Sequence, residues 1–119
     1  MEIREHQHNE TKIAEIVSES MIIATTEDGL DVLASLYFQG FDKIIIHQNN
    51  ITPDFFDLKT GIAGEILQKF SNYRVQLAII GDFSQYISKS LKDFIFESNK
   101  QGHIIFVESL DDVMRNFKK

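Results

Sequence analysis

The five residues Lys43-Ile44-Ile45-Ile46-His47 constrain this chain more than any other segment. Three consecutive isoleucines leave neither face of a strand polar, so the segment is read as a central strand buried on both sides. Val75 to Ile80 and Ile104-Ile105-Phe106-Val107 are further apolar strands. The segments between them have helical spacing. Leu30, Leu33, Leu36 and Tyr37 recur at intervals of three and four, with Thr26 as the expected cap and Gly40 as the closing C′ residue. Gly61 to Phe70 repeats through Ile62, Ile66 and Phe70, and Asn72 can end it. A long helix is expected after a Ser84 cap, with Ile87, Leu91, Phe94 and Ile95 as its stripe and Gly102 as its stop. Ser109 opens a last helix, with Asp112 in a capping-box-like position and Val113, Met114 and Phe117 as its apolar face.

Before the isoleucine strand, the polar run Glu2 to Asn9 and the run Lys12-Ile13-Ala14-Glu15-Ile16-Val17 flank Asn9-Glu10. This reads as a hairpin whose first strand is a solvated edge. The expected order is β-β-α-β-α-β-α-β-α. It predicts an α/β fold with a mixed sheet of four to five strands, an N-terminal hairpin and about four helices, joined by right-handed crossovers.

Composition narrows the class. The 119 residues are expected to form a single domain over 1–119, and 43% apolar content is too high for disorder. The absence of Cys excludes a disulfide framework, a thiolate metal site and a cysteine nucleophile. A net charge of −6 opposes binding to nucleic-acid phosphates. No apolar run approaches a membrane span, and the polar start Met1 to His6 carries no secretory core. A cytoplasmic protein is expected, with no membrane or nucleic-acid partner.

The densest information lies in Phe55-Phe56-Asp57-Leu58-Lys59-Thr60-Gly61-Ile62-Ala63-Gly64-Glu65. It follows the central strand and opens a helix, where unsatisfied backbone N–H groups suit an anion. Thr60 is the expected N-cap. Gly61 and Gly64 keep the first turn slim, either for a ligand or partner or for close packing within the protein. Phe55 and Phe56 are adjacent, so both are not expected to face one core. Asp82 follows a strand at its carboxyl end, and Asp57 is expected nearby. The pair is either two turn residues or a cation site. His6 and His8 share a face of the edge strand and are read as solvated, while His47 and His103 sit at opposite ends of the sheet. Tyr86 and Phe96 either form a small exposed apolar patch or belong to a wide buried face. Arg115, Lys118 and Lys119 suit the C-terminal end of the last helix. No cofactor, metal site or catalytic triad is expected.

The block from Phe55 to Arg74, with Leu77-Ala78-Ile79-Ile80-Gly81-Asp82-Phe83 and Asp93-Phe94-Ile95-Phe96-Glu97-Ser98-Asn99, resembles an uncharacterised bacterial family, domain of unknown function 4180. That resemblance brings no activity. More distantly, the element order is similar to STAS domains of the anti-sigma-factor antagonist type. In those, Asp-Ser-Ser/Thr-Gly-Leu opens the second helix, and the hydroxyl residue before Gly is phosphorylated. The matching position is Thr60 before Gly61-Ile62. Here Asp57 stands three residues before Thr60 rather than two, and Lys59 replaces a small hydroxyl residue. The resemblance implies a STAS-like regulatory interaction module, more a binding protein than an enzyme. Its protein partner or second copy would meet Phe55, Phe56, Lys59 and Thr60, with Thr60 as a phospho-switch. The alternative is a small-molecule or anion-binding protein, or weak enzyme, with its site near Thr60, Gly61 and Asp82.

Overall fold

In a computed structural model, described over residues 1–117, the elements follow the expected order. They are β1 (Glu2–His8), β2 (Thr11–Val17), α1 (Thr26–Phe38), β3 (Lys43–His47), α2 (Ile62–Asn72), β4 (Gln76–Ile80), α3 (Lys89–Gln101), β5 (Ile104–Val107) and α4 (Leu110–Asn116). Three short 3-10 turns, at Gln48–Asn50, Pro53–Phe56 and Leu58–Thr60, lie between β3 and α2. The mixed five-stranded sheet has the order β1-β2-β3-β4-β5. Only the β1–β2 pair is antiparallel.

Local chemistry explains the boundaries. Asn9 and Glu10 both take positive φ, 52° and 70°, which turns the hairpin in two residues. The cap of α1 is Thr25 rather than Thr26: its hydroxyl accepts from Asp28 N, and the Asp28 carboxylate accepts from the Thr25 N–H. Gly40 closes that helix as expected, at φ 93°. The Phe41 N–H reaches Leu36 O and the Gly40 N–H reaches Tyr37 O. Helix α3 starts later than expected. Ser88 caps it at Leu91 N, Ile87 is exposed, and Ser84 instead bonds Asp82. Ser109 caps α4 at Asp112 N.

The sheet order never reverses, so α1, α2 and α3 all fall on one face. Ala14, Ile16, Ile44, Ile46, Leu77, Ile79, Ile104 and Phe106 pack there against Leu33, Leu36, Ile66, Phe70 and Leu91. Gly29 of α1 lies against Ile66 of α2 so closely that a Cβ would stand 2.5 Å from the Ile66 Cδ1. Among the described residues, the other face is covered by α4 alone: Val113 and Phe117 pack on Ile13, Ile45, Ala78 and Ile105. Helix α4 is short, and the carboxyl ends of β2 and β3 extend beyond this cluster.

Strand β5 is a sheet edge. Asn99 of α3 turns its side chain onto that edge, donating to Phe106 O at 3.1 Å and accepting from Phe106 N at 2.7 Å. Ser98 donates to Ile104 O. These bonds occupy groups that an exposed edge strand would offer to another chain. Lys118 and Lys119 lie outside the described residues.

Candidate functional site

The predicted site residues disperse. Phe55 and Phe56 are buried, at 2% and 4% exposure, and their rings meet edge to face at 5.0 Å. The expectation that they form a surface is wrong because the Pro53–Phe56 turn directs both inward, Phe56 onward to Phe83 and Tyr86. Adjacent residues in a tight turn need not point apart as strand neighbours do.

Thr60 is not the N-cap of α2. That position is Gly61, held left-handed at φ 81°. Thr60 ends a 3-10 turn. Its exposed hydroxyl donates toward Asp54 O at 2.7 Å and Asp57 O at 2.9 Å. It also accepts from the Ile62 N–H at 3.3 Å, so one helix-start donor expected to face an anion is met from within. Asp57 accepts from Lys59 N and serves its own turn. Gly64 is exposed, and a Cβ there would meet nothing within 4 Å. It borders a groove between α2 and α3, with Leu67 and Phe94.

Asp82 stays at the carboxyl edge of the sheet, where expected. Ser84 holds it through its hydroxyl at 2.6 Å and its N–H at 3.0 Å, and these bonds lower the Asp82 pKa. Asp82 lines a cleft of about 410 Å³ with His47, Gln48, Asn49, Ile80, Gly81 and Gln85. Gln48 organises it. Its Oε1 accepts from Asp82 N at 3.0 Å and its Nε2 donates to the Tyr86 hydroxyl at 3.0 Å. A Cβ at Gly81 would collide with the Gln48 side chain, so glycine is required for this approach. The unreversed strand order lacks the crevice of a doubly wound sheet. The cleft exists instead because Gln48 ties the loop after β3 to the loop after β4.

A second cleft adjoins it, sharing Gln48, Asn49 and Gln85 and adding Met21, Ile51, Pro53, Phe56 and Tyr86. Tyr86 is therefore stacked on Phe56, at 5.2 Å and 22°, and lies in the loop before α3. Phe96 is 66% exposed on α3 itself.

Sequence reading missed a cluster beside this site. Glu15 is buried, at 6% exposure, on the thinly covered face. Its Oε1 receives His6 Nε2 and its Oε2 receives His47 Nε2, each at 2.8 Å. Burial raises the Glu15 pKa, but the hydrogen bonds and charges of His47 and His6 outweigh it and leave the value lowered. An ionised carboxylate only accepts, so each imidazole donates from Nε2. His47 thus belongs to both the cluster and the cleft. Register puts His6 opposite Ile13, two residues before Glu15, and His47 two residues after Ile45, the partner of Glu15. Those residues share one face only once the strands are paired. Among the described residues, no group of His, Asp and Glu is arranged to hold a metal ion. No described helix is long and apolar enough to cross a membrane.

Residues 8–117 match the family described as domain of unknown function (DUF4180). The chain belongs to that family. Neither the curated proteins nor the solved structures yield a match to it. The STAS resemblance gains no support from these comparisons. In this DUF4180 chain, the matched span contains Glu15, His47, Gln48, Gly81, Asp82 and Tyr86, and His6 precedes it.

Proposed function

We propose that this protein binds a small polar ligand at the carboxyl edge of its sheet. One observation carries the reading: His47, Gln48, Asn49, Asp82 and Gln85 converge on one cleft of about 410 Å³. Convergent polar groups in a concave site are the usual mark of a ligand site. The Gln48 bonds to Asp82 and Tyr86 hold its walls before any ligand arrives. Such preorganisation lowers the ordering cost of binding. The test is ¹⁵N-detected titration of the full chain with a library of small polar metabolites. Saturable shifts confined to 47–49 and 80–86 are expected. A flat screen, or shifts elsewhere, would sink the proposal.

A second reading, the regulatory interaction module with a switch at Thr60, is favoured by the exposure of Lys59 and Thr60 on an outward turn. A phosphate on Thr60 would remove the proton shared with Asp54 and Asp57 and add about −1.5 to −2 charges. The partner surface would be that turn, without Phe55 and Phe56. Pull-downs with wild type and Thr60→Glu should return different partners; identical profiles would count against a switch.

A further inference from the structure

We infer that the ligand of this cleft is an amine: a cation with an apolar or aromatic body. The inference rests on the proposed binding site and concerns its charge and shape.

The polar half of the cleft is lined by one carboxylate, Asp82, and by no lysine or arginine. Asp82 presents a carboxylate whose ionised form is favoured by Ser84. His47 turns its Nε2 onto Glu15 at 2.8 Å, so that nitrogen is not offered to the cleft. Behind it stands the Glu15 carboxylate, paired with His6 and His47, and not the arginine or lysine that would serve an anion. Gln48 has both amide atoms engaged, and the Gln85 Nε2 donates to Asp82 O. One N–H of each of these two amides is thus committed within the protein.

The adjoining cleft has the opposite character. Met21, Ile51 and Pro53 line it, and Tyr86 stacked on Phe56 offers an aromatic face. An ammonium near Asp82, with its body reaching the Tyr86 side, meets both halves. Aromatic rings also attract cations through their quadrupole. An anion would meet the Asp82 carboxylate with no lysine or arginine among the lining residues.

The test compares three probes with one body: 2-phenylethylamine, 2-phenylethanol and phenylacetate, with inorganic phosphate as a fourth. Each is titrated into the full-length protein and followed by ¹⁵N NMR. The amine should give saturable shifts at Asp82 and in the loop through Tyr86, and bind more tightly than the alcohol and phenylacetate. Asp82→Asn should weaken the amine about three- to tenfold and leave the alcohol unchanged. Asp82 is exposed, so this variant is expected to fold. Its amide spectrum away from 80–86 checks that. If phenylacetate or phosphate saturates the same residues as tightly as the amine, the charge inference is wrong while the site stands. If Asp82→Asn binds the amine unchanged, the inference is also wrong. If no probe perturbs these residues and the metabolite library is flat as well, both readings fall.

Discussion

The two faces of the sheet are made from the same strands and differ in almost everything else. On β2, Ala14 and Ile16 face the three helices and are fully buried among apolar side chains. Glu15, between them, faces the side covered only by α4 and is buried by histidines instead. The first face is a packed core. The second combines a small apolar cluster under α4 with a polar network beyond its reach. Burial therefore does not mark the core by itself.

The comparison can be broken most forcefully in the packed face. Phe70 is fully buried there, and Phe70→Ala is expected to destabilise by about 3–5 kcal/mol in urea unfolding. On the other face, Glu15→Ala removes the acceptor from two imidazoles and should cost about 1–3 kcal/mol. The two faces also differ in response to pH. The native Glu15 pKa lies below its ordinary value of 4.5, so its contribution is present above pH 4.5 and lost as pH falls through the native value. Wild-type stability should rise with pH across that window more steeply than that of Glu15→Gln; parallel pH profiles would show that the histidines do not stabilise the carboxylate. Thr25→Ala, at the start of a helix on the packed face, should lose about 1 kcal/mol with its capping box. Phe96 is exposed on α3, away from both faces, and Phe96→Ser should change thermal stability by less than about 0.5 kcal/mol.

Much of the fold was legible in order. The three isoleucines marked the interior strand, and Gly40, Gly102 and Ser109 marked helix ends, because their signals act within a few residues. Signals failed where two local solutions compete. Ser84 and Ser88 are both plausible caps, and the choice fell to Ser88 once Asp82 engaged Ser84. Thr60 lost the cap position to Gly61 because its hydroxyl found two carbonyls in the preceding turns.

The site itself was only partly readable. Asp82 was placed at the carboxyl edge from strand direction alone, and the structure puts it there. Gln48, Glu15 and His47 carried no motif. Glu15 and His47 are 32 residues apart, and Gln48 and Tyr86 are 38 apart. Sequence by itself determined the elements, their order and the apolar identity of the central strands, since hydrophobic periodicity and capping are local. Only the tertiary structure decided which residues meet, because strand register and loop tethering bring together side chains that no spacing along the chain relates.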